Sequence, residues 1–259
     1  MGRKYIQSLI KMNNKNIINT AKKVISTEIE GLKKLSNSIN ISFSQAVNAI
    51  SNNRGRIVCC GVGKSAKILE KISSTLSSIG IPSFTLDPTD AGHGSLGAIQ
   101  KGDILIIASF SGNSSELHNI LQYAKKIKSK VIGISSNSKS NLIKLSNIKI
   151  IMPKVAEAGS KNLDMIPTSS STNLLALGDC IAISLATKKH FNKKKFGDLH
   201  PSGSLGKNLS EISKVMIVKR NIPFVYENSS IQETVIKITS GRLGCVIVVN
   251  KRKKICGFV

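Results

Sequence analysis

The chain has 259 residues, of which 41% are apolar and 20% charged. That balance belongs to a globular protein with one sizeable core, or one full domain and a smaller second one. No apolar run reaches the roughly 20 residues that span a bilayer, so no membrane partner is expected. Lys and Arg number 38 against 14 Asp and Glu, a formal net charge of +24. The positive charge is spread over the whole chain, with short clusters only at Lys193–Lys195 and Lys251–Lys254. Aromatic residues make up 4% and Trp is absent, so single strands find no stacking platform and no nucleic-acid partner is expected. An anionic small substrate would still benefit from the positive field.

The opening stretch, MGRKYIQSLIKMNNKN, lacks the apolar core and cleavage site of a secretory signal. With Ile at position 6 it also fails the myristoylation pattern, and a cytoplasmic location is expected. The five cysteines form no CxxC and no paired spacing, which excludes a disulfide framework and leaves a zinc cage unsupported. Cys59, Cys60 and Cys180 lie in apolar runs and are expected to be buried thiols.

In chain order, Ile17, Ile18, Ala21, Val24, Ile25, Ile29, Leu32 and Leu35 recur at three- and four-residue spacing, which predicts an amphipathic helix. A second helix is expected over Phe43–Ser51. Short apolar runs then follow at Arg56–Gly61, Ser83–Leu86, Ile104–Ser109, Val131–Ser135 and Ile148–Met152, separated by helical patterns at Ser65–Ser78 and Ser115–Ile127. Buried strands alternating with helices predict an α/β fold: a doubly wound, five-stranded parallel sheet of flavodoxin-like or Rossmann-like type. A long helical segment spans Thr168–Lys189. Beyond Leu209 a smaller unit is expected, with a strand at Val215–Val218, a helix at Ile231–Thr239 and a strand at Cys245–Val249.

The chemistry-bearing residues gather where strands end. Gly61-Val-Gly63-Lys64-Ser65 follows the first strand and opens a helix, a turn that can point Lys64 at a bound anion. It is not a nucleoside-triphosphate loop, because Val58 stands where that spacing requires glycine. A dinucleotide fingerprint stays open, since Ala66 is tolerated at its third position and Asp87 follows the next strand. Ser109-Phe-Ser111-Gly-Asn-Ser114-Ser115-Glu116 brings four hydroxyls to a helix start, more than capping needs, and suits a dianionic phosphate. Pro167-Thr-Ser-Ser-Ser-Thr172 repeats that arrangement. His93, Glu157 and His200 are titratable groups in the loops, whereas His118 and His190 sit among polar neighbours and are expected to be solvated.

Taken in order, Gly61–Ser65, Ala91-Gly-His-Gly-Ser-Leu-Gly97, Ser109–Glu116, Pro167–Ser170 and His200-Pro-Ser-Gly-Ser-Leu-Gly206 resemble the arabinose 5-phosphate isomerases. In that family a sugar isomerase (SIS) domain precedes paired CBS domains. The resemblance covers about residues 40 to 259. It implies a SIS domain over residues 1–207 and an incomplete CBS-like segment over 208–259. It also implies a homotetramer that interconverts the pentose 5-phosphates ribulose 5-phosphate and arabinose 5-phosphate, on the way to the octulosonate of lipopolysaccharide.

By the same resemblance Lys64, Glu116, Glu157 and His200 are catalytic, and Gly80, Ile81 and His93 touch substrate. Ser109, Ser111, Ser114, Ser169 and Ser170 would hold the phosphate. Phe110 and Asn113 depart from the family's serine loop. Asp87 stands where the family often has a metal-binding His, and is the one metal candidate. Aldose–ketose isomerisation needs a base and an acid and no redox cofactor, so no cofactor is expected. Glu157 would transfer the proton, with its pKa raised by shielding from water. Two other readings are a non-catalytic sugar-phosphate-binding SIS module and an isomerase for another sugar phosphate.

Overall fold

The computed structural model describes residues 14–159, 162–200, 212–218 and 221–259. The chain divides into two compact units, Met1–His200 and Pro201–Val259.

In the first unit α1 (Asn14–Ser38) and α2 (Ile41–Ser51) precede an alternation of strands and helices. These are β1 (Ile57–Gly61), α3 (Lys64–Ser78), β2 (Ser83–Thr85), α4 (Pro88–Ala91), β3 (Ile104–Ala108), α5 (Leu117–Lys126), β4 (Lys130–Ser135), α6 (Asn141–Leu145) and β5 (Ile148–Ile151). Two helices follow, α7 (Ser169–Lys188) and α8 (Lys193–Leu199). Every strand pairing is parallel and the sheet order is β2-β1-β3-β4-β5, the flavodoxin order. The cause is visible in the residues. β1 and β3 are unbroken apolar runs, buried at every position, because each face of the sheet carries its own core. Ile57, Cys59, Ile104 and Ile106 point into a core shared with α1, α2, α3 and α7. Their alternates Val58, Cys60, Leu105 and Ile107 point into a second core with α4 and α5.

One ionic clamp ties the lower edge of this sheet together. Arg56 donates from Nε and an η nitrogen to Asp103, at 3.3 and 2.8 Å, while its guanidinium lies 4.9 Å over the Phe84 ring. Asp103 is buried and also accepts from the backbone N–H groups of Arg56 and Gln100, at 2.9 Å each. Burial pushes the Asp103 carboxyl up, but the bonds from Arg56 and Gln100 outweigh it, so the net shift is downward. A carboxyl with a depressed folded-state pKa stabilises the fold above its unfolded value, and that stability is lost as pH falls through the folded value. Asp103→Ala is therefore expected to cost about 2 kcal/mol at neutral pH, read from the urea midpoint, and to blunt the loss of stability below about pH 4.

Three expectations need correction. Cys180 is exposed, not buried: α7 also carries apolar residues such as Ile183 on its exposed side, so its composition does not say which side meets the core. On α1 the predicted stripe meets the core only at its C-terminal end, at Leu32 and Leu35, while the isoleucines at 17, 18, 25 and 29 are exposed. In the second unit the stretch expected as a strand at Val215–Val218 begins as the end of a short helix, Ile212–Val215.

The second unit contains β6 (Phe224–Tyr226), α9 (Ile231–Gly241), β7 (Ile247–Val249) and β8 (Ile255–Phe258). β6 and β7 pair in parallel and β7 and β8 antiparallel. A capping box fixes the start of α9, where the Ser230 and Glu233 side chains each accept from the other's backbone N–H. The sequence predicts β7 but not β6 or β8, the outer strands of this sheet, which are mostly exposed. Among the described residues, no helix is long and apolar enough to cross a membrane.

Candidate active site

At the carboxyl ends of β1 and β3 the chain opens a cavity of about 480 Å³, in the range of small-ligand sites. This is the topological position where doubly wound sheets bind ligands. Its walls are three strand-to-helix turns and the start of α7. The first turn brings Lys64 and Ser65, the second Ser109, Phe110, Ser111 and Ser114, and the third Glu157, Ser170 and Ser171.

Each turn has a local reason for its shape. Gly63 takes φ 60°, ψ −127°, a conformation open to glycine, and so lets the chain leave β1 and enter α3 within two residues. Lys64 then stands on the first turn of α3, at the positive end of the helix, and forms no ion pair among the described residues. A cation there is unfavourable until an anion joins it. In the serine loop Gly112 has φ 67°, and a Cβ at that position would lie 2.2 Å from Ser140 Oγ. The loop is thus pressed onto the turn before α6, and its hydroxyls are oriented. Ser109 Oγ accepts from Gly112 N at 3.1 Å and lies 3.1 Å from Ser114 Oγ, while Ser111 Oγ accepts from Asn113 N at 3.3 Å.

Glu157 is half-buried and caps α7. Its Oε2 accepts from Thr168 N at 2.7 Å, Thr168 Oγ1 at 3.1 Å and Ser170 N at 3.3 Å, while Thr168 Oγ1 accepts from Ala158 N at 2.8 Å. Burial raises the carboxyl's pKa, but hydrogen bonds from Ser170 and Thr168 outweigh it, so the net shift is downward. This overturns the expectation of a raised value, because helix-start donors stabilise the ionised form more than desolvation opposes it. Glu157 is held as a carboxylate ready to accept a proton.

A larger cavity of about 740 Å³ opens at the opposite edge of the sheet, between α2 and the starts of β3 and β4. Its one carboxylate is Asp103, already committed to Arg56, so it offers lysines but no free carboxylate.

Residues 49–184 match the SIS domain family. An arabinose 5-phosphate isomerase of Francisella tularensis is 39% identical over 235 residues, 89% of this chain and 71% of its own. The one from Yersinia pestis is 35% identical over 237 residues, 91% of this chain and 72% of its own. The chain belongs to the SIS domain family, among the arabinose 5-phosphate isomerases. Of solved structures, an Escherichia coli CFT073 protein in complex with arabinose 5-phosphate superposes with a TM-score of 0.70 at 33% identity. That match covers 73% of this chain and all of the other.

Within this SIS domain the cavity gathers Lys64, Ser109, Ser111, Ser114, Glu157 and Ser170. The remaining candidates lie outside its lining, each for a physical reason. Ser169 is fully buried, and a Cβ on Gly31 of α1 would come within 3.5 Å of its Cβ, so it faces the helix layer. Glu116 is exposed at the head of α5 and accepts from Ser115 Oγ at 3.2 Å. His93 is exposed in the loop after α4. Asp87 spends its carboxylate on the cap of α4, accepting from Thr89 N at 2.7 Å. Among the described residues, no group of three or more His, Cys, Asp or Glu is placed to hold a metal.

Gly80, Ile81 and His200 stand at the other end of this unit. Gly80 follows the far end of α3, whose 15 residues span about 20 Å from Lys64. The side chain of Ile81 is buried in the core. A Cβ on Gly80 would lie 3.6 Å from Leu199 Cδ1, which locates the end of α8, and His200 after it, at the same far edge. The His200 ring stacks on Phe196 at 3.9 Å and 12°, with Nδ1 2.9 Å from the Phe196 carbonyl. A carbonyl only accepts, so Nδ1 carries the proton and Nε2 is the nitrogen left for chemistry. The loop over Pro201–Gly206, part of the quoted motif, lies outside the described residues.

Ser171, Asp164, Met165 and Met152 also line the cavity, though the sequence did not single them out. Ser171 was legible, since it sits inside the hydroxyl-rich run. Asp164 and Met165 lie in an aperiodic loop with no pattern to single them out.

Proposed function

We propose that the cavity binds a pentose 5-phosphate and that the chain interconverts D-ribulose 5-phosphate and D-arabinose 5-phosphate. The protein is a sugar-phosphate isomerase of the aldose–ketose type. The observation that carries the finer reading is the convergence of Lys64, the Ser109–Ser114 loop and the ionised Glu157 on one cavity at helix starts. Hydroxyls, helix-start amides and a lysine with no ion pair among the described residues suit a phosphate. The likeness to the protein solved with arabinose 5-phosphate points the same way.

In this reading Glu157 removes a proton from C1 of the ketose to leave an enediolate and returns it at C2. A second proton moves from the C1 oxygen to the C2 oxygen, so the reaction is redox-neutral and the proton count balances. Lys64 stabilises negative charge on the substrate oxygens or phosphate, and Glu116 assists as a second acid or base. His200 serves ring opening or oxygen protonation, and because it stands far from this cavity in its own chain, it is supplied by a second copy. A homotetramer with sites shared between subunits follows, and the product would feed octulosonate and lipopolysaccharide synthesis.

Phe110 and Met165 make part of the lining apolar, which favours a second reading as an isomerase for another sugar phosphate. A panel of pentose, hexose and heptose phosphates separates the two. The proposal expects ribulose 5-phosphate to be converted with the highest kcat/KM. Conversion of a hexose or heptose phosphate alone replaces the sugar. Binding of all the sugars with turnover of none leaves a non-catalytic module.

A further inference from the structure

We propose that Thr168 is a positioning residue for proton transfer, holding Oε2 of Glu157 so that Oε1 is the oxygen presented to the sugar. The inference rests on the reading of Glu157 as the base.

The geometry is specific. Thr168 N, Thr168 Oγ1 and Ser170 N all donate to Oε2, at 2.7, 3.1 and 3.3 Å. A carboxylate oxygen offers about two lone-pair sites, so three donors saturate it. The threonine hydroxyl cannot turn away, because Ala158 N donates to it at 2.8 Å and thereby aims its single proton at the carboxylate. Residue 168 thus closes a small ring from the backbone of the Glu157 loop to its own side chain and back to that loop. Accepting from the Thr168 and Ser170 N–H groups alone would let the carboxylate cap α7. The hydroxyl adds orientation, and it fixes which oxygen is engaged before substrate arrives. The Ser170 hydroxyl lowers the same carboxyl, and Lys64 and Asp164 are the charged side chains sharing the cavity. All three stay in place when the Thr168 side chain is changed.

The test is the pH dependence of ribulose 5-phosphate conversion by the full chain and by Thr168→Val, Thr168→Ala, Thr168→Ser and Glu157→Gln. The hydroxyl donates to the ionised carboxylate, so removing it lets the proton bind more tightly, and a base works only when ionised. Thr168→Val is expected to move the acid limb of kcat upward by about one pH unit. Above that limb kcat should fall about tenfold, with KM within about twofold of the parent. Thr168→Ala, which also lacks the hydroxyl, must show the same limb if the valine variant does not fold, and Thr168→Ser must restore both parameters. A hydroxyl-free variant that melts earlier yet keeps the parent limb and kcat overturns the inference, leaving Thr168 as a plain cap. Undiminished turnover by Glu157→Gln is a separate failure, since it removes the base reading on which the inference stands.

Discussion

Glu157→Gln is expected to lower turnover of ribulose 5-phosphate by about 10²- to 10⁴-fold, the range that a positioned general base supplies. The amide keeps the shape and an acceptor for the α7 N–H groups, so the fold and the serine loop should survive and KM should move little. What it loses is the ability to take a proton. The downward shift of the carboxyl has a kinetic consequence. As the base is ionised below the ordinary carboxylate range, the acid limb of the parent profile should lie no higher than the ordinary Glu value of about 4.3 in the free enzyme. Turnover by Glu157→Gln within a factor of two of the parent would remove the residue from the chemistry.

The second large effect concerns His200. His200→Ala is expected to be nearly as inactive as Glu157→Gln, yet refolding the two inactive chains together should restore activity. The reason is positional: α3 separates the His200 end of the chain from Lys64 by about 20 Å, too far for a side chain to reach. Under the proposed function, a productive site combines Glu157 of one chain with His200 of another. Random mixing makes about a quarter of such sites intact, and recovery to about that fraction of parental activity per site is the expected reading. If the mixture stays as inactive as its parts while its chains exchange freely, each site draws His200 from its own chain or does not use it.

The sequence predicts the inner strands β1, β3 and β4 well because they are buried on two faces and therefore read as apolar runs, whereas the edge strands β2 and β5 are only partly buried. The same feature makes the strand-to-helix turns legible, and with them Lys64, the Ser109–Ser114 loop and Ser170. Where a side chain serves two neighbours, the reading falls short. Ser169 and Ser170 are adjacent and chemically alike, but the step of about 100° between neighbours on a helix turns the first toward α1 and the second into the cavity. The pKa direction of Glu157 depends on donors 11 and 13 residues away in the chain, a contact that no local pattern encodes. His200 is legible as a residue and illegible as a position, since α7 and α8 carry it back across the length of the sheet. The exposed Ile17, Ile18, Ile25 and Ile29 show the same limit: periodicity finds an apolar stripe and not what meets it.

The central claim is that a sugar phosphate sits in the cavity at the heads of α3, α5 and α7, with its first two carbons at residue 157. A crystal structure of Glu157→Gln with ribulose 5-phosphate tests it most directly, because the slowed variant holds the substrate. The phosphate is expected within hydrogen-bond distance of the Ser109–Ser114 loop, with C1 and C2 beside the side chain at position 157. A sugar phosphate bound at the opposite edge of the sheet, or bound in this cavity with its phosphate rather than its carbons at position 157, would contradict it.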